Sequence, residues 1–162
     1  MYSAALNKYS EYLKFKQREI EEDIEKVSGD DSVSETDKVS LIKSRLGQGT
    51  FRKRLLDYWQ GCAVTGYKFS NLLVASHIKP WRNSDNKQRL DKFNGLLLIP
   101  NLDKAFDNGF ISFKKNGGGG VISDLLKKPD LLGIKPGLSI KVSAQHNQYL
   151  EYHREVVFIE AN

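Results

Sequence analysis

The sequence predicts an α+β protein with helices at its N-terminal side, and three observations carry that assignment. Up to Trp59 apolar residues recur at helical spacing. Beyond it the pattern breaks into short apolar runs separated by glycine-containing turns. One short, well-punctuated helix is set among those runs.

From Tyr2 to about Val27, Leu6, Leu13, Ile20 and Val27 recur every seven residues, with Tyr9 and Ile24 on the same side. This face needs a partner. Lys16 and Gln17 interrupt the seam, so two uses stay open: packing on the chain's own domain, or a short coiled coil that forms a homodimer. Ser28 to Asp37 is acidic, contains Gly and Ser and lacks periodicity, which marks a linker. The division expected is therefore an N-terminal helix over 1–28, a linker over 29–40 and a main domain over 41–160. A second helix is expected from Lys38 to Leu46. A third runs from Thr50 to Trp59, where Thr50 can cap and Phe51, Leu55, Leu56 and Trp59 form an apolar stripe.

After Trp59, Cys62 to Thr65 and Leu72 to Ala75 flank a glycine turn and read as a hairpin ending at Ser76-His77. A polar, basic loop spans Lys79 to Lys92. Gly95 to Ile99 is an apolar run short enough for a buried strand, and Pro100-Asn101 opens a short helix with Asn101 as N-cap, closed by Asn108-Gly109. Phe110 to Phe113, the turn Gly117 to Gly120 and Val121 to Ser123 form an extra β-hairpin. The four glycines neither precede a helix nor carry a phosphate-loop lysine, so no nucleotide cofactor is expected.

Charge is distributed unevenly along the 162 residues. Residues 1–40 carry six Lys/Arg against ten Asp/Glu, residues 41–92 eleven against three, and residues 93–162 eight against seven. The basic middle third suits a polyanion, whose phosphates it can neutralise with release of counterions. No apolar run approaches the roughly 18 residues of a membrane span, and the N-terminus lacks a charged-then-apolar signal pattern. No membrane partner and a cytoplasmic address are expected. The single cysteine, Cys62, excludes an internal disulfide and a zinc knuckle. Any metal would sit on O and N ligands, which suits Mg²⁺, Mn²⁺ or Ni²⁺.

Within and just beyond the basic segment stand an imidazole, His77, then Asn94, then Asp103 and Asp107 at helical i, i+4 spacing. Breaking a phosphodiester needs a deprotonated water on one side of the phosphorus and charge stabilisation on the oxygens around it. His77 can supply the first near neutral pH, and a divalent ion held by two carboxylates on one helix face can supply the second. Lys79, Arg82, Lys87, Arg89 and Lys92 flank the proposed base and are candidates for phosphate contact, with Arg52 upstream. Trp81 reads as a hydrophobic anchor of the loop. His146 and His153 fall outside this cluster, with surface or packing roles.

The runs Cys62-Ala63-Val64-Thr65-Gly66, Ala75-Ser76-His77-Ile78-Lys79-Pro80-Trp81, Arg89-Leu90-Asp91, Asn94-Gly95-Leu96-Leu97-Leu98, Pro100-Asn101-Leu102-Asp103 and Phe106 to Phe113 together resemble the HNH endonucleases. More narrowly, they are similar to the branch found in bacterial restriction and defence nucleases. Arg45-Leu46-Gly47-Gln48 with Phe51-Arg52, and Tyr149 to Arg154, extend the likeness over roughly residues 44–158. The resemblance implies a ββα-metal core in which a hairpin delivers the base and the following helix delivers ligands to one divalent ion. It implies His77 as general base and Asn94 as the residue that braces the loop and orients it. It also implies Asp103 and Asp107 as metal ligands. One position departs from the family. The residue before the base is often Asp or His and binds metal; here it is Ser76, a weaker ligand, which leaves more of the coordination to water or DNA. The function expected is metal-dependent DNA endonuclease activity in restriction or anti-phage defence. A catalytically inactive nucleic-acid-binding module and an RNA-directed nuclease are the alternatives.

Overall fold

A computed structural model describes residues 34–160 together with Glu25, Ser28 and Gly29. The coiled-coil and dimer expectations for residues 1–28 lie almost wholly outside the described residues. The first long element is helix α1, Glu35–Trp59. It starts inside the segment expected to be a linker and runs without interruption through the region expected to separate two helices. Gly47 and Gly49 lower helix propensity by about 1 kcal/mol each but do not forbid it, so the sequence signal for a break was a cost rather than a barrier. The chain divides into two compact units after Gly49, and everything that follows concerns the second, Thr50–Asn162.

In this unit the last turns of α1 bury Phe51 and Leu55, one turn apart, and leave Lys53, Arg54 and Asp57 exposed. The helix ends where Gln60 takes a positive φ of 54°. Strand β1, Val74–His77, pairs antiparallel with strand β2, Gly95–Leu98, in the register Val74↔Leu98, Ala75↔Leu97, Ser76↔Leu96 and His77↔Gly95. This corrects the expected hairpin. Cys62 to Thr65 is not β1's partner but a turn, closed by Gly66 N–H to the Cys62 carbonyl and linked to β2 only through Ala63 N–H to the Leu97 carbonyl. The physical reason lies in burial: the Leu96-Leu97-Leu98 run is wholly buried, roughly 1.5–3 kcal/mol per side chain, and offers β1 a larger apolar partner than Cys62-Ala63-Val64 can.

The connection from β1 to β2 holds a short helix α2, Asn86–Leu90, capped by Asp85, whose Oδ1 accepts from the Lys87 and Gln88 N–H groups while Gln88 Oε1 accepts from Asp85 N–H. After β2, helix α3 spans Pro100–Asp107 and packs beside β1. Its N-cap is Ile99, with Pro100 at the first helical position. Asn101, expected to cap, instead donates its side chain to the Leu132 carbonyl. Gly109 ends the helix at φ 74°, and a Cβ there would meet the Val157 carbonyl oxygen at 2.1 Å, so the expected Asn-Gly stop is imposed by a close backbone approach as well as by φ. Strands β3, Ile111–Phe113, and β4, Gly120–Ile122, form the extra hairpin. Helix α4, Asn147–Tyr152, closes the unit. The architecture is α+β: a ββα unit of β1, β2 and α3, joined by a second hairpin, around Phe51, Leu55, Leu96–Leu98, Leu102, Phe106, Ile111, Phe113 and Leu150. No described helix is long and apolar enough to cross a membrane.

Candidate active site

His77 is the last residue of β1. Its Nε2 lies 3.0 Å from the Arg89 carbonyl oxygen. A carbonyl only accepts, so Nε2 carries the ring proton and Nδ1 is left with its lone pair. Among the described residues nothing hydrogen-bonds Nδ1. One face of the imidazole stacks on Phe51, centroids 3.8 Å apart and planes 11° apart, and Trp81 meets the ring edge-on at 5.5 Å and 83°. Burial lowers the His77 pKa below the usual 6.5; the Arg89 carbonyl opposes that shift, and the Arg89 charge adds to it. Burial thus favours the neutral ring, with Nδ1 as the nitrogen that keeps its lone pair.

The carbonyl that fixes His77 sits at α2, and Asn94 fixes α2. Asn94 is fully buried. Its Oδ1 accepts from Lys79 N–H at 2.8 Å, and its Nδ2 lies 3.0 Å from the Gln88 carbonyl and 3.3 Å from both the Lys79 carbonyl and Ser84 Oγ. The carboxamide spans both ends of the loop between the strands, and Asn94's own carbonyl accepts from Ile78 N–H at 3.0 Å. With its amide consumed in this way, Asn94 holds the loop and has no surface to offer a substrate.

Helix α3, packed beside β1, carries two carboxylates. Asp103, half-buried in its first turn, lies within hydrogen-bonding reach of the buried Ser76, the residue next to His77. Burial raises the Asp103 pKa; the Ser76 hydroxyl counters it, the Asp107 charge raises it further, and Lys104 lowers it. Asp107, four residues on, is exposed. Two hard oxygen donors in mutual repulsion, with a hydroxyl between strand and helix, fit a divalent cation, which would relieve that repulsion. Among the described residues no group of three or more His, Cys, Asp or Glu is arranged to hold a metal, so an ion here would have these two carboxylates and the Ser76 hydroxyl as its protein donors.

A base on the first hairpin and carboxylates on the helix that follows it form one continuous stretch of chain. Residues 62–114 match the family model described as HNH endonuclease. This part of the chain, about a third of it, is similar to the HNH endonucleases. No curated protein matches the chain. The matched HNH segment contains β1, β2, α2, α3 and β3, hence His77, Asn94, Asp103 and Asp107.

The basic residues around the HNH core fall into two groups. Arg82 and Lys87 are exposed, and their side chains have no hydrogen-bond partner among the described residues. The others are already engaged: Lys79 Nζ donates to Gln88 Oε1 at 3.0 Å and lies over the Tyr152 ring, Arg89 donates to the Trp81 carbonyl and covers the Trp81 ring, and Lys92 lies over Tyr58 and Phe93. Arg52 requires correction. Its guanidinium donates to the Leu73 carbonyl at 2.5 Å and the Ser70 carbonyl at 2.7 Å, because two carbonyls close together where the turn enters β1, that of Ser70 also accepting from Leu73 N–H, match its forked donors; it staples that turn and is not presented to a phosphate. His153 is a packing residue, buried with Nδ1 against Ser112 Oγ and Nε2 against the Phe106 carbonyl. Sequence reasoning missed Phe51 as a partner of the base. Its position in the apolar stripe of α1 is indistinguishable from that of Leu55, so no local signal singled it out.

Proposed function

We propose that the chain is a metal-dependent DNA endonuclease that hydrolyses phosphodiester bonds by attack of a water activated by His77. The observation that carries this reading is the His77–Arg89 hydrogen bond: it commits Nε2 as donor and leaves Nδ1 as acceptor, the tautomer a general base needs. His77 takes a proton from water as the oxygen attacks phosphorus, and the bond to the 3′ oxygen breaks, leaving 5′-phosphate and 3′-hydroxyl ends. Asp103 and Asp107, with the Ser76 hydroxyl as a weak third donor, would hold one Mg²⁺, Mn²⁺ or Ni²⁺, which when bound supplies charge neutralisation at the phosphate oxygens. Arg82 and Lys87, with Lys79, Arg89 and Lys92 nearby in sequence, position the backbone of the nucleic acid. Cutting both strands requires two sites or sequential nicks, and segment 1–28 is the candidate dimeriser. The likeness of several motifs to restriction and defence nucleases supports a role in restriction or anti-phage defence.

Plasmid digestion tests this. Wild-type protein is expected to nick or linearise supercoiled DNA only with a divalent ion, and His77→Ala to lose cutting while retaining salt-sensitive binding. Ser76 in place of a stronger ligand favours the second reading, a silent binding module. That reading prevails when both proteins bind and neither cuts with Mg²⁺, Mn²⁺ or Ni²⁺. Parallel RNA digestion separates an RNA-directed nuclease.

A further inference from the structure

We propose that Phe51 is a positioning residue for His77, and that Gly95 is the position whose missing side chain allows it to be one. The proposal rests on His77 being the base. A single hydrogen bond from Nε2 to the Arg89 carbonyl fixes one point of the ring and leaves it able to pivot about the N···O line. The Phe51 ring, nearly parallel at 11° and 3.8 Å away, removes that pivot, and Trp81 bounds the imidazole from a perpendicular direction. Phe51 is itself only 1% exposed, so the platform cannot move aside.

Gly95 faces His77 across the β1–β2 pair. A Cβ there would stand 2.5 Å from Phe51 Cζ and 2.8 Å from both Leu55 methyls, which no side-chain rotation of a buried ring absorbs. The glycine backbone is in turn fixed by Trp59, whose Nε1 donates to the Gly95 carbonyl at 3.1 Å. Phe51 comes from α1, outside the family-matched residues 62–114. The unit that aims the base therefore reaches N-terminal of the HNH segment.

The alternative is that Phe51 is core and nothing more. The full-length variants Phe51→Leu and Gly95→Ala separate the two, with Leu55→Ala as a control that removes equally buried volume from the same helix without a ring contact to His77. Duplex-cleavage kinetics give kcat and KM; ¹⁵N shifts of the His77 ring at one fixed pH give its tautomer. A kcat loss on the order of 10–100-fold with KM little changed is expected for both test variants, together with a mixed His77 tautomer in place of a single Nε2–H form. Leu55→Ala should lose stability and keep kcat. Folded Phe51→Leu and Gly95→Ala proteins that keep both wild-type kcat and a single tautomer overturn the proposal, as does a Leu55→Ala protein that loses kcat equally. An inactive wild-type protein refutes the nuclease reading, and the tautomer measurement still decides the platform. Should Phe51→Leu fail to fold, Gly95→Ala carries the same comparison.

Discussion

The Asn94 carboxamide donates to the Gln88 carbonyl at 3.0 Å, one residue before the Arg89 carbonyl that receives the His77 ring proton. A buried amide thus acts on an imidazole through a helical turn, without touching it. This relay explains how a loop of seventeen residues between β1 and β2 holds the His77 ring: its middle is tied to its end by Asn94, and its start by the same side chain through Lys79.

Asn94→Ala should therefore damage stability and activity together. It strands the Lys79 N–H, at about 1–3 kcal/mol for an unsatisfied group away from water, and removes the amide's bonds to the Gln88 and Lys79 carbonyls and Ser84 Oγ, so a loss of roughly 2–4 kcal/mol is expected in urea unfolding. At temperatures where the variant is still folded, kcat should fall while DNA binding at low salt survives. A variant as stable as wild type would show that the amide network is dispensable.

Divalent-ion binding should depend unequally on the two carboxylates. Asp103 is half-buried beside Ser76, and burial together with the Asp107 charge raises its pKa, so it gains most from a neutralising cation. Calorimetric titration with Mn²⁺ should show binding nearly abolished in Asp103→Asn and weakened on the order of tenfold in Asp107→Asn, whose carboxylate is exposed and more hydrated. Equal affinities in both variants and wild type would remove these residues from the metal site.

The basic residues make opposite predictions according to what their side chains touch. Arg52 spends its guanidinium on two carbonyls, so Arg52→Ala should cost about 1.5–3 kcal/mol of stability and leave the salt dependence of DNA binding unchanged. Arg82 and Lys87 are exposed. Replacing either by alanine should leave the unfolding midpoint unchanged and reduce the slope of log K against log salt by about 1. A flat slope change in both would move the DNA surface elsewhere.

These contrasts show which features the sequence exposes. The buried run Leu96 to Leu98, the Asn108-Gly109 stop and the glycine turn of the second hairpin each have a local physical cause, and the structure has all three. The order of His77, Asn94, Asp103 and Asp107 was legible because spacing along a strand and a helix is a one-dimensional property. The partner of β1 was not, since Cys62–Thr65 and Gly95–Leu98 both look like strands locally and only the global burial of three leucines chooses between them. The roles of Arg52 and Phe51 were equally hidden. A guanidinium and an aromatic ring are assigned by what the fold brings opposite them, Leu73 and His77, and no periodicity records that.

Stability should fall with acid through the buried histidines. The His153 pKa is pushed down to about 4, chiefly by burial; the Phe106 carbonyl opposes the shift, and the Arg154 charge adds to it. The unfolded chain takes up this proton near pH 6.5 and the folded chain only near 4. Unfolding therefore binds a proton in that window, and the contribution is complete above 6.5 and lost as pH falls toward 4. One such group amounts to roughly 2 kcal/mol by about pH 5. His77 and His146, both lowered by burial, act in the same direction. Asp103, whose pKa is raised, acts in the opposite one. Urea midpoints should drop between about pH 7.5 and about pH 5, and His153→Gln, although less stable at the upper pH, should show a shallower drop. A wild-type midpoint that does not move, or a variant with the full wild-type slope, would mean that His153 is reached by water in solution and does not anchor α4 to Phe106 and Ser112 as a neutral ring.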